Sequence, residues 1–228
     1  MSKLILVTYA DEKYKPCQER LIKIAEDSKQ FDGFISLDSI WLKTNYFYLQ
    51  NKNILDRPKG AGYCLWKPYI LLNALNTLEY DNIILYIDSG DLLFNTNGLR
   101  TFLFETMADK NFILTEGWNK NSNWTKRDCF IGMNCDNSRY WNAMQLEAGV
   151  LAIKNTPDAI NVVREWLEYC KNPAILTEDP NINGRLNLTG FKEHRYDQSV
   201  LTNLKIKYNL YASVELREFV DCNKNMPE

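Results

Sequence analysis

Short apolar runs alternate with helical periods along most of the chain. Residues 4–8 are a continuous run of mainly branched aliphatic positions between polar ones, which predicts a strand buried on both faces. Over residues 15–30, Leu21, Ile22, Ile24 and Ala25 recur at helical spacing. A second short strand is expected at 33–37 and a helix over the aromatic stretch 41–49. Residues 56–62 read as a loop by their proline and glycines, and Pro68 suits the first turn of a helix running to about residue 78. The strongest strand is 82–87, five consecutive apolar residues after Asn82, and it stops at an acidic turn. A helix over 98–108, a strand over 112–115, a strand over 150–153 and a helix over 158–169 follow. The polar stretch 118–135 has no period and reads as a long functional loop. After a loop around 173–190, a helix over 196–204 and a last strand over 208–211 complete the pattern. Alternation of this kind predicts a single α/β domain spanning residues 1–228, with a mostly parallel central sheet and flanking helices. Ligands of such sheets bind beyond the carboxyl ends of the strands, which puts Thr8, Tyr9 and Ala10 on the same rim as Asp88 and Asp91.

Composition narrows the function. Among 228 residues, 27 basic and 29 acidic side chains leave a net charge of −2, which argues against nucleic acid as a partner. No run of 18 apolar residues exists, so no membrane span is expected. The six cysteines form no C-x-x-C pair, and with no export signal they fit a reducing, cytoplasmic setting. His194 is the only histidine, no G-x-S-x-G elbow is present, and neither a Walker A loop nor G-x-G-x-x-G occurs.

Five segments carry candidate chemistry. Asp88 and Asp91 stand where the strongest strand ends, and oxygen ligands at such a turn suit Mg²⁺ or Mn²⁺ shared with a phosphate; a solvated turn has the same composition. On a helix, His194, Asp197 and Gln198 share one face, suited to binding metal or a sugar hydroxyl, against the plainer reading of a hydrogen-bonded histidine at a helix start. Residues 145–153 place an Ala148–Gly149 pair before an apolar strand, where glycine lets a ligand approach the backbone. Lys126 and Arg127 beside Asp128 offer cations for a diphosphate, or an ordinary solvated loop. In residues 60–69 the aromatics read as core and Lys67, by itself, as surface.

The order of these pieces is more specific than any one of them. The chain resembles the GT-A glycosyltransferases, and among them family eight, the glycogenin-like enzymes, with their D-x-D, N-A-G-V-like and D-Q-x-x-L-N motifs. The counterparts are Asp88 to Asp91, Glu147 to Val150, and Asp197 to Asn203. It is also similar to a group of small glycosyltransferase-like sequences carrying G-A-G-Y-x-x-W-K-P-Y, Y-x-D-x-G, Q-x-E-A-G and H-R-x-D-Q-S, all found here in order. One departure stands out: a strict D-x-D from Asp88 puts its second acid at Gly90, whereas the acid is Asp91.

The resemblance implies a metal-dependent transferase moving a sugar from a nucleoside-diphosphate sugar, with uridine the commonest base, to a hydroxyl of a glycan or other acceptor. It implies Mn²⁺ or Mg²⁺ held by Asp88 with Asp91 or His194, and a diphosphate neutralised by Lys67, Lys126 and Arg127. Thr8, Tyr9 and Ala10 are expected at the base and ribose, Ala148 and Gly149 at the ligand, and Asp197 and Gln198 at the donor sugar. Asp128 and Glu147 are the candidate acceptor-activating bases. Two other classes stay open: a nucleotidyltransferase, which normally shows a glycine-rich loop after the first strand where this chain has residues 10–13 without glycine, and a non-catalytic binding module of the same fold.

Overall fold

The computed structural model describes residues 2–222. Its strands are β1 (Leu4–Ala10), β2 (Gly33–Asp38), β3 (Ile83–Ile87), β4 (Leu92–Leu93), β5 (Phe112–Lys120), β6 (Met144–Lys154), β7 (Ala212–Ser213) and β8 (Val220–Asp221). The longer helices are α1 (Lys15–Ser28), α2 (Trp66–Thr77), α3 (Leu99–Thr106), α4 (Pro157–Cys170) and α5 (Tyr196–Tyr208). Six strands form one sheet in the order β2-β1-β3-β6-β5-β7, while β4 and β8 pair separately. The β1–β2, β1–β3 and β5–β7 pairings are parallel, and β6 runs antiparallel to both its neighbours.

Burial on both faces explains the unbroken apolar runs. In β3, Ile84 and Tyr86 enter one core, and Ile83, Leu85 and Ile87 the other, because successive side chains leave a strand on opposite faces. The first core is capped by α2, α4 and α5 through Leu71, Trp166 and Leu201, and the second by α1 and α3 through Leu21 and Leu103. Helix α4 starts cleanly because Thr156 accepts the Ala159 N–H and Pro157 stands at the first helical position.

Three departures from the pattern matter. β5 continues past residue 115 to Lys120, and the expected long loop breaks into short helices at Asn121–Trp124 and Arg127–Gly132. Helix α5 runs through Tyr208, where a strand is expected, and ends on Asn209 in the left-handed conformation at φ 52°; the strand follows at Ala212–Ser213. The loop at 56–62 leads into a left-handed turn in which Gly60, Ala61, Gly62, Tyr63 and Cys64 all have positive φ. Each non-glycine residue so placed costs roughly 1–2 kcal/mol, so the turn is held by its surroundings.

The pairing of β5 with β6 is irregular at the point that builds the site. Leu114 faces Leu151 and Thr115 faces Glu147, so Ala148, Gly149 and Val150 have no partner on β5. Further on, Glu116 faces Leu146 and Lys120 faces Met144, so Gly117, Trp118 and Asn119 oppose Gln145 alone. Bulges of this kind re-aim side chains and are common beside active sites.

Candidate active site

The site begins where β3 ends. Asp88 follows the last β3 residue, and its N–H donates to the Gly149 carbonyl at 2.7 Å, so the acidic turn is pinned to the β6 bulge. The turn closes with the Asp91 N–H donating to the Asp88 carbonyl at 2.9 Å. Only glycine fits at 149: a Cβ there would stand 2.5 Å from Asp91 Oδ2 and 3.6 Å from Asp88 Oδ2. Both carboxylates thus converge on one bare stretch of backbone.

Lys67, in the first turn of α2, is 2% exposed and reaches under this turn. Its ammonium donates to the Ala148 carbonyl at 2.9 Å and lies 3.1 Å from Asp88 Oδ1 and 3.6 Å from Asp197 Oδ2. Burial opposes its charge, but Asp88 and Asp197 outweigh that and raise its pKa. Tyr86 donates its hydroxyl to Asp88 Oδ1, and burial together with Asp88 pushes the phenol pKa up, so it stays a donor. Asp88 Oδ1 is therefore engaged by two donors.

Asp197 occupies the first turn of α5. The turn is entered through Tyr196 at φ 46°, a rare conformation for a bulky residue and of the sort retained at functional sites. The Trp166 indole donates to the Asp197 carbonyl at 3.0 Å, and Gln198 accepts the Ala148 N–H at 3.3 Å, locking α5 onto α4 and β6. Burial raises the Asp197 pKa to about 6, with Lys67 pulling it down and Asp88 pushing it up.

Above these residues lies a cavity of about 500 Å³, whose lining includes Lys67, Asp88, Asp91, Glu147, Ala148, Gly149, Asp197 and Gln198. A second cavity of about 320 Å³, lined by Tyr9, Ala10 and Trp66 among others, adjoins it; the two share Gly60, Cys64 and Asp88. The left-handed turn is thus the wall between them. Thr8 is buried and lines neither.

Other expected site residues lie elsewhere. His194 is buried, accepts the Lys126 N–H at Nδ1 (3.3 Å) and has Nε2 2.9 Å from the Ile175 carbonyl. Burial and the nearby Lys126 lower its pKa to about 3, so it is a neutral ring with both nitrogens occupied and lies outside both cavities, away from any metal at Asp88. Asp128 accepts the N–H groups of Ile182 (2.6 Å) and Asn183 (3.3 Å), which ties down the 177–195 segment, and it lines neither cavity. Lys126 donates to the Asp179 carbonyl at 3.1 Å, and Arg127 pairs with Asp136 at 2.7 Å. Neither cation lines the cavities. The cations that do, besides Lys67, are Lys59 and Arg195 at the larger cavity and Lys13 at the smaller; of these only Arg195 stands inside a motif singled out in the sequence, H-R-x-D-Q-S. Among the described residues no three His, Cys, Asp or Glu side chains are grouped to hold a metal by themselves. Two hard carboxylates over a bare glycine do fit an ion that takes its remaining ligands from a phosphate.

No protein-family model matches the chain, and no curated protein matches it in sequence. Solved structures do. The apo structure of the bifunctional glycosyltransferase WbbM aligns at TM-score 0.50 and 12% identity, over 89% of this chain and 37% of WbbM. The galactosyltransferase LgtC, solved with donor and acceptor sugar analogs, aligns at 0.49 and 15% identity, over 92% of this chain and 73% of LgtC. Mouse xyloside xylosyltransferase 1 aligns at 0.48 and 9% identity, over 93% of this chain and 84% of that enzyme. At these identities the likeness concerns architecture, and the chain has the GT-A fold found in glycosyltransferases.

Proposed function

We propose that the protein is a metal-dependent glycosyltransferase that moves a sugar from a nucleoside-diphosphate sugar, with UDP-sugar the favoured donor, to a hydroxyl of a glycan acceptor. The observation that carries this is the meeting of two cavities at Asp88. A nucleotide sugar is a two-part ligand joined by a diphosphate, and the acidic turn stands at the joint. The fold shared with WbbM, a bifunctional glycosyltransferase, supports the reaction class.

In this reading the cavity beside Tyr9 and Ala10 takes base and ribose, and the larger one takes the sugar. Asp88 and Asp91 hold Mn²⁺ or Mg²⁺, which when bound stabilises the charge developing on the departing diphosphate. Lys67 holds the Asp88 and Asp197 carboxylates in place and opposes the protonation of Asp197 that burial favours. Lys59 and Arg195 stand at the cavity wall paired with Glu178 and Glu193, and a diphosphate there competes with those carboxylates for them. Asp197 and Gln198 accept and donate hydrogen bonds at donor-sugar hydroxyls, the ionised partner making the stronger bond. Glu147 is the carboxylate available to take the acceptor's proton.

The test is a thermal-shift and calorimetric titration of UDP with Mn²⁺ and again with EDTA. A ligand bound only by the native state raises the melting midpoint as its concentration exceeds Kd. The expected result is a rise with UDP and Mn²⁺ that EDTA removes. Unchanged affinity in EDTA removes the metal from the reading, and no response to any nucleotide removes the donor. Asp88→Ala is expected to cost roughly 3–4 kcal/mol of transition-state stabilisation.

A further inference from the structure

Beside the sugar cavity runs a trough of about 630 Å³ whose lining includes Leu92, Phe94, Trp118, Glu147, Arg217 and Val220. It shares Trp118, Glu147 and Cys222 with that cavity, so the two are continuous. We propose that this trough is the acceptor subsite and takes a neutral saccharide, with Trp118 as the platform on which a sugar ring stacks. The proposal rests on the glycosyl-transfer reading for its step, but not for its binding chemistry.

Trp118 is 71% exposed and Phe94 56% exposed, large for aromatic side chains that border a cavity. Trp118 is put there by the β5 bulge. A Cβ at Gly117 would come 2.6 Å from the Gln145 carbonyl oxygen, so the glycine seats the bulge tightly on β6 while its neighbour projects into the open. The Arg217 guanidinium lies over the indole ring, 4.7 Å from its centroid. The same guanidinium donates to the Glu116 carbonyl at 2.7 Å and lies 2.8 Å from Glu147 Oε2. The ring is therefore steadied by an anchored cation while most of its surface faces solvent.

A pyranose offers apolar C–H groups on a face and hydroxyls around its edge. An aromatic ring beside a planar cation and a carboxylate matches both. A purely apolar occupant would strip water from the Glu147–Arg217 pair and give nothing back, which is costly. A polyanion would meet Glu147 and Asp221 at the trough wall. A saccharide satisfies the ring and the ion pair together. In the transfer, the acceptor oxygen bonds to the donor's anomeric carbon and the anomeric carbon's bond to the diphosphate oxygen breaks. The diphosphate leaves with that electron pair, and the hydroxyl proton passes to Glu147.

The experiment uses the full chain without donor. Saturation-transfer NMR is run with methyl β-galactoside, methyl β-glucoside, methyl β-xyloside, lactose and cellobiose, on the wild type, Trp118→Ala and Trp118→Phe, with circular-dichroism melts to confirm folding. The expected result is millimolar binding of at least one saccharide, a loss of about tenfold or more in Trp118→Ala, and partial recovery in Trp118→Phe, whose ring still stacks. Binding by Trp118→Ala equal to the wild type overturns the platform. Absence of binding by every saccharide overturns the assignment, as does selective binding of phenol, included as an aromatic control. Failure of UDP to bind in the separate calorimetric titration would sink glycosyl transfer while leaving the saccharide result to decide this site.

Discussion

The Lys67 ammonium lies 3.6 Å from Asp197 Oδ2, joining α2 to α5 beneath the cavity floor, and the two residues are 2% and 3% exposed. With Asp88 3.1 Å from the same nitrogen, one buried cation serves two carboxylates. Removing a partner from a buried ion pair costs roughly 3–5 kcal/mol, because a charge is left without compensation. Lys67→Met is therefore expected to lower the unfolding free energy by about that much in urea titrations at pH 7. Adding Asp197→Asn to Lys67→Met removes a buried carboxyl that has lost its cation and is expected to recover part of the loss. A single variant as stable as the wild type would show the cluster to be better hydrated than its burial implies.

Gly149 tests Asp91 separately from Asp88. The Cβ of Gly149→Ala would stand 2.5 Å from Asp91 Oδ2, and a short side chain has little room to yield. The expected outcome is a displaced Asp91 and a fall of about tenfold or more in Mn²⁺-dependent UDP affinity, the scale of one lost charge-assisted contact of about 1.5–3 kcal/mol. UDP affinity in EDTA is expected to be unchanged. Calorimetry on the same preparation reads both numbers. Full metal dependence in Gly149→Ala would leave Asp88 and the diphosphate as sufficient ligands.

What was legible in the sequence follows from what a pattern records. The β3 run and the Asp88 turn are local, so their place on the rim follows from strand topology. Asp197 and Gln198 are legible through the helix they start. Lys67 reads as surface because a lysine in a helical turn is usually solvated, and only the distant Asp88 and Asp197 bring it inside. His194, Lys126, Arg127 and Asp128 were expected at the ligand because polar segments look alike whether they face a cavity or fasten a loop. Here their partners are the backbone of residues 175–183 and the Asp136 carboxylate. Trp118 was read into a loop because the bulges between β5 and β6 erase the two-residue alternation that marks a strand.

His194 gives a pH signature. Its folded pKa is lowered to about 3 by burial and Lys126, against about 6.5 in an unfolded chain. Between those values the unfolded state binds a proton that the native state does not. Stability is then complete above the unfolded value and falls with pH by up to about 1.4 kcal/mol per unit. Asp197, raised to about 6, acts in the opposite sense: its native state holds the extra proton, so its contribution is present at low pH and lost as pH rises through about 6. The two slopes oppose each other between about pH 4 and 6, and the wild type alone hides both. His194→Gln removes one of them. The difference in unfolding free energy between wild type and His194→Gln, measured by urea titration from pH 7 to 4.5, is expected to move in the variant's favour as pH falls. A difference independent of pH would mean that His194 titrates normally in the native protein.

The last prediction separates sugar handling from nucleotide binding. Asp197 lines the larger cavity and is absent from the one beside Tyr9, so its loss is expected to fall on the sugar. Asp197→Asn keeps the shape, the helix start and the carbonyl that accepts from Trp166. It removes the charge that makes a carboxylate the stronger partner for a hydroxyl. UDP affinity with Mn²⁺ is expected to stay near normal, while transfer, or slow donor hydrolysis, falls by roughly 10²-fold or more. Both are measured on one preparation, because Lys67 links this residue to Asp88 and a disturbance of the metal site has to be distinguished from a loss at the sugar. Equal losses in binding and turnover would move Asp197 to the diphosphate side. No loss in either would reduce it to a structural partner of Lys67 and leave Glu147 as the carboxylate on which turnover depends.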